Sequence, residues 1–178
     1  MKYFDQLKRS MEYLAEDPCT VFIGQAVACA GTGMSNTLKD VPADRKVELP
    51  VDEDMQMGIT NGLALQGKLP VSIFPRWNFF LLATNQLVNH LDKFSEISGG
   101  GYQPNAIIRT GIGSERPLHP GHQHIGDYTD AYRKMLNNVE IIRLEEPEDV
   151  FPAYQKAHNR RDGKSTILVE YGDYYNEK

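Results

Sequence analysis

No stretch of this sequence stays apolar for the roughly 18 to 20 residues that a bilayer-spanning helix needs. The opening MKYFDQLKRSMEYLAEDP also lacks the apolar centre of a secretory signal, so the expectation is a soluble chain that keeps its start and has no membrane partner. Cysteine is scarce: Cys19 and Cys29 are too few for a disulfide framework and are not at metal-ligand spacing, which makes a reducing cytoplasm the expected compartment. A basic excess is missing too. Nineteen Lys and Arg stand against 24 Asp and Glu, a net charge of -5, with the signs interleaved. That argues against nucleic acid as a partner and leaves a small molecule or another protein. There is no Gly-x-Ser-x-Gly elbow, phosphate-binding Walker loop or Gly-x-Gly-x-x-Gly turn, and no internal repeat. A length of 178 residues suits a single domain, 1–178, with a core of its own.

What is present is an alternation of two periodicities. Tyr3, Phe4, Leu7, Met11 and Leu14 mark an amphipathic helix closed by Asp17 and Pro18, and TVFIG follows as a short buried strand. Residues 25–46 are small and turn-forming, which predicts a loop with one helical turn around 34–39 and no share in the core. Then come VELP, a helix over about 53–67, LPVSIF, a helix over about 77–96, NAIIRT and a loop at 111–124. A helix near 127–136, the strand VEIIRL, a helix opened by Pro147 and the strand STILVE complete the chain. Strands that are apolar throughout and separated by helices predict a mostly parallel sheet covered on both faces, a three-layer α/β/α domain. Ligands of such sheets bind beyond the carboxyl ends of the strands. Those ends are Gly24, the acids after Pro50, residues 76 to 79 and the loop after Thr110.

Three features at these ends could carry chemistry. In VDEDMQMGITNG, the acids Asp52, Glu53 and Asp54 are ordinary residues for a helix start, where carboxylates meet free amide N–H groups. Gly58 and Gly62 each cost a helix about 1 kcal/mol relative to alanine. That cost implies close approach by the sheet, a second subunit or a bound ring. The segment RWNFFLLATNQLVNHLDKF is apolar around most of its circumference, so Phe79 belongs to core, to an interface or to a ligand platform. His119, His122 and His124 share one loop. They could be solvated loop histidines, a zinc set drawn from a single six-residue span, or imidazoles for proton transfer beside a substrate carbonyl.

Taken together, LPVDEDMQMGITNGLALQGKLPVSIF, WNFFLLATNQLVNHLDKFSEISGGGYQP, IIRTGIG and HQHIGDY resemble the pyrimidine-binding domain of thiamine diphosphate enzymes. Within that group the sequence is most similar to the beta subunit of 2-oxo acid dehydrogenase first components, and the resemblance runs through nearly the whole chain. It implies that Glu53 hydrogen-bonds the cofactor's aminopyrimidine nitrogen, that Phe79 stacks on the ring with Trp77 beside it, and that Val51 touches the same ring. It implies further that His124 faces the substrate. His119, His122 and Arg109 transfer less directly.

Three departures stand beside the resemblance. Gln25 and Ala26 occupy the place of the family's acidic pair, so contacts of Gln25 near the cofactor would be altered. No Gly-Asp-Gly followed by Asn is present, so the diphosphate and Mg2+ would fall to an alpha-type partner chain that carries this motif. The family's beta subunits also carry a further α/β domain that this sequence does not contain. The expectation is therefore half of a split enzyme, a beta-type subunit in an alpha2beta2 heterotetramer. It would decarboxylate a 2-oxo acid and pass the activated unit to an acceptor, with thiamine diphosphate as cofactor. The alternatives are a transketolase-type subunit acting on a ketose and a non-catalytic assembly or regulatory subunit of the same fold.

Overall fold

The structure is a computed structural model, described for residues 2–178. Six strands form one sheet: β1 (Thr20–Gly24), β2 (Lys46–Glu48), β3 (Leu69–Phe74), β4 (Ile107–Ile112), β5 (Val139–Arg143) and β6 (Ser165–Tyr171). Their order is β2-β1-β3-β4-β6-β5 and every neighbouring pair is parallel. The central strand β3 is buried at all six positions, the signature of a strand covered on both faces.

One face carries α1 (Tyr3–Ala15), the short α2 (Gly33–Asn36), α7 (Pro147–His158) and the terminal turn α8 (Tyr174–Glu177). Its core joins Tyr3, Leu7, Met11 and Leu14 of α1 to Phe22, Val71 and Leu168 of the sheet and Tyr154 of α7. The other face carries α3 (Glu53–Leu65), a helical segment from α4 (Trp77–Phe80) to α5 (Phe94–Ile97), and α6 (Thr129–Met135). There Met57, Phe74, Trp77, Phe80, Leu87 and Tyr132 pack together. The predicted three-layer α/β architecture is the one observed.

Two local expectations are corrected. The loop at 25–46 does contribute to the core, because Val27, Met34, Leu38 and Val41 are buried under it. A capping box between Thr32 and Ser35 supplies the turn that folds these side chains inward. The segment expected as one helix over 77–96 is helical but not uniform. It passes through a tight turn at Leu81–Ala83, a π turn at Gln86–His90 and another tight turn at Leu91–Lys93. The irregularity accompanies a fully buried Asp92, whose carboxylate accepts the amides of Asn137 and Asn138 at 2.9 and 2.7 Å.

Candidate active site

At the carboxyl end of β1 the chain must turn sharply. Gly24 has φ +130, and a Cβ there would collide with the carbonyl of Ile73. Two residues on, Ala26 is left-handed, with φ +57, an uncommon state for a residue with a side chain. What holds it is Glu48 at the end of β2, whose carboxylate accepts the amides of Ala26, Val27, Ala28 and Cys29 between 2.7 and 3.3 Å. Burial pushes the Glu48 carboxyl up, but these four donors together hold it below its ordinary value. This amide cradle fixes the loop that presents Gln25.

Gln25 points its amide at Glu53, with Nε2 3.0 Å from Oε1. The three acids are not equivalent. Asp52 caps α3 by accepting the Met55 amide at 2.9 Å, and both Asp52 and Asp54 are exposed. Glu53, the first residue of the helix, is only 4 % exposed. Its Oε2 has no hydrogen-bond partner among the described residues. The helix is pinned to β3 by a buried polar seam: Gln56 Nε2 donates to the Ile73 carbonyl at 2.9 Å, and the Thr60 hydroxyl lies 2.8 Å from Ser72 Oγ. Val51 stands 78 % exposed at the mouth, two residues before Glu53.

The neighbouring strand β3 leads into Arg76 and α4. Phe79 meets His124 edge to face, with ring centroids 5.6 Å apart. His124 lies in a tight turn, His122–His124, tied down on both sides. Arg76 Nη1 donates to the carbonyls of Gly113 and His124, the latter at 2.9 Å, and the Asn78 side chain accepts the Gly126 amide at 3.2 Å. His124 Nδ1 is buried without a hydrogen-bond partner among the described residues.

The structure thus forms two pairs at adjacent strand ends, Gln25 with Glu53 and Phe79 with His124. Trp77 does not join them. It is 0 % exposed and stacks on Tyr132 at 4.9 Å, so core packing takes both its faces and leaves none for a ligand ring. His119 and His122 adjoin each other, with centroids 5.4 Å apart, while His124 belongs to Phe79, so the three do not converge as a zinc set. Arg109 is fully buried on the face of the sheet that carries α7 and α8, bidentate to Glu170.

The face of α3 carrying Gly58 and Gly62 is open, since a Cβ at either would meet nothing within 4 Å. Packing of this helix on its own sheet therefore does not explain the glycines. Met55 and Ile59 beside them are each 38 % exposed. The residues missed from sequence are Glu48, Gln56 and Thr60, while Arg76 stands out there only as part of a strand end. The three missed residues looked like strand-end or helix-surface polar groups, and only the sheet brings their partners within reach.

A cleft of about 730 Å3 opens beyond the ends of β4 and β6, lined among others by Thr32, Asn36, Arg76, Ser114 and Arg116. It shares Arg76 with the Phe79–His124 pair.

Known proteins are similar to this chain in sequence and in fold. The chain is 28 % identical over 180 residues to the pyruvate dehydrogenase E1 component subunit beta of Gracilaria tenuistipitata var. liui, covering 98 % of this chain and 54 % of that one. It is 27 % identical over 148 residues to the 3-methyl-2-oxobutanoate dehydrogenase subunit beta of Mycobacterium tuberculosis, covering 78 % of this chain and 40 % of that one. The chain spans about half the length of the curated relatives it matches. Among solved structures, a split gene transketolase described as an inactive beta4 tetramer superposes with a TM-score of 0.73 at 17 % identity, over 97 % of this chain and 52 % of that one. The family described as the transketolase pyrimidine-binding domain matches residues 8–176, and the chain belongs to that family.

Proposed function

We propose that this chain is the beta-type, pyrimidine-binding subunit of a split thiamine diphosphate enzyme that decarboxylates a 2-oxo acid and passes the resulting unit to an acceptor. The observation that carries the reading is Glu53: a carboxylate 4 % exposed, one oxygen held by Gln25 and the other left unengaged at the ligand-binding edge of the sheet. The residues fit the cofactor's aminopyrimidine, which needs an acid for a ring nitrogen and an apolar surface for the ring face. When bound, thiamine diphosphate supplies a nucleophilic carbon and an electron sink for decarboxylation.

Each residue of this chain then has a task. Glu53 Oε2 holds a proton toward the ring nitrogen, and Gln25 fixes the other oxygen so that the acid has a single orientation. Phe79 and Val51 supply apolar surface. His124, locked by the Arg76 bond to its carbonyl, carries a proton to or from the substrate. Diphosphate and Mg2+ are assigned to an alpha-type partner carrying Gly-Asp-Gly, because this sequence has no such motif. The open face of α3, with Met55 and Ile59 around two glycines, is the surface we assign to a partner chain in an alpha2beta2 assembly in the cytoplasm.

The test is co-expression with such a partner, followed by assay of carbon dioxide release from several 2-oxo acids with and without the cofactor. Glu53→Gln should lower turnover by about 10²-fold or more. Full activity in that variant would sink the assignment. Ketol transfer from a ketose without carbon dioxide release would establish the transketolase-type alternative. A complex that binds the cofactor yet turns over neither substrate class would leave the assembly-subunit reading.

A further inference from the structure

We infer that Arg76 is an anion-binding residue, and that the cleft it lines takes a small ligand bearing a carboxylate or phosphate group. The inference rests on the proposed function only in taking that ligand to be the substrate. Its observations are local to Arg76 and its surroundings.

The other arginines near this edge have their charge answered. Arg109 pairs with Glu170, Arg116 with Glu177 and Asp173, and Arg143 with Asp127. Among the described residues no carboxylate lies within 4.0 Å of the Arg76 guanidinium. Partial burial alone pulls its pKa below the ordinary value, with no opposing charge to restore it. An anion on this partly desolvated and unneutralised cation would gain a charge-assisted pair.

The protein contacts of the side chain do not account for it. Both carbonyls it binds, Gly113 and His124, are reached by Nη1 alone. A tether for the 113–124 loop needs one nitrogen. The guanidinium offers a planar fork of five donors, and Nε and Nη2 have no hydrogen-bond partner among the described residues. That fork matches the two oxygens of a carboxylate or phosphate.

The surroundings suit such a ligand. The cleft is about 730 Å3, polar groups of Thr32, Asn36 and Ser114 line it, and Lys2 adds a second cation at its rim. Two acids also line it. Glu170 is committed to Arg109, which leaves Asp5 as the one acid there without a basic partner within 4.0 Å among the described residues. His124, whose Nδ1 is buried without a partner, is bound through its own carbonyl to Arg76, which joins the cleft to the loop that carries the Phe79–His124 pair.

Titration of the full chain tests this, with pyruvate as the carboxylate and inorganic phosphate as the phosphate, followed by calorimetry and by the Arg Nε–H signals in NMR. The expected result is saturable one-site binding of at least one of them, with movement of the Arg76 signal. R76Q should weaken that binding tenfold or more. R76K keeps a charged tether to the two carbonyls but loses the fork, and it should weaken binding several-fold while melting like the parent chain. R133Q, on α6 and outside the cleft, should bind as the parent does. Preference for pyruvate identifies a carboxylate ligand and preference for phosphate a phosphorylated one. No saturable binding of either anion to the parent chain, or undiminished binding by R76Q, overturns the inference. Either result would leave the Glu53 assignment standing, since that is read by turnover in the partnered complex.

Discussion

Glu170 and Glu53 are both buried carboxylates near the carboxyl edge of the sheet, one at the end of β6 and the other at the start of α3. Glu170 is saturated. It accepts two bonds from Arg109, one from the Tyr154 hydroxyl at 2.8 Å and one from the Tyr175 hydroxyl, and Arg109 also reaches Thr37 at 2.8 Å. Burial pulls the Arg109 guanidinium down, but Glu170 together with Tyr154 and Tyr175 more than offsets this and holds it firmly charged. Glu53 has one partner, the Gln25 amide. The difference separates two uses of a buried acid: one closes the α1–α7 face of the sheet, while the other keeps an oxygen free on the α3 face, where a ligand can take it.

The sharpest way to break this comparison is to neutralise each glutamate in turn. Glu170→Gln leaves Arg109 buried without its counter-charge and should cost about 3–5 kcal/mol in chemical denaturation. Glu53→Gln should change stability by no more than about 1 kcal/mol, since a single amide bond is at stake. Equal losses in the two variants would erase the distinction.

Glu48 offers an intermediate case, a carboxylate satisfied by backbone rather than by charge. Its folded pKa is depressed, so its contribution is fully present above the unfolded carboxyl value of about 4.3 and fades as pH falls through the folded value. The stability gap between the parent chain and Glu48→Gln should therefore be constant near neutrality and narrow below about pH 4. A gap independent of pH down to full acid unfolding would mean that the cradle does not discriminate charge.

The smallest effect concerns the open face itself. Gly62→Ala should stabilise the chain alone by about 0.5–1 kcal/mol, because helix propensity improves and the new Cβ meets nothing. The same variant should weaken association with a partner chain, read by sedentation or native mass analysis of the mixture. Undisturbed assembly would remove that face from the proposed interface.

Sequence patterning carried the strands well: LPVSIF is β3 residue for residue, and TVFIG is β1. It did less well where partners lie far apart in the chain. The loop at 25–46 looks polar and irregular because its four core residues are spaced by turns rather than by a helical or strand period. Trp77 read as a neighbour of the ligand ring, since it stands two residues from Phe79. The turn into α4 instead buries it in the core, stacked on Tyr132. In the sequence, Glu53 is set apart from Asp52 and Asp54 only by the family resemblance, which locates it through its spacing to Gly58 and Gly62.

By itself the sequence determined the layer architecture, the parallel sheet and the edge at which a ligand would bind, because these follow from apolar periodicity and the lengths of the connections. The tertiary structure decided which polar groups are saturated and which are left free. Glu170 and Glu53, or Arg109 and Arg76, are chemically identical as letters. Their difference lies in what stands within hydrogen-bond reach: Arg109 and Glu170 are 61 residues apart in sequence and paired across β4 and β6, while Arg76 finds only two carbonyls. Coulomb and hydrogen-bond energies depend on distances that no local pattern encodes.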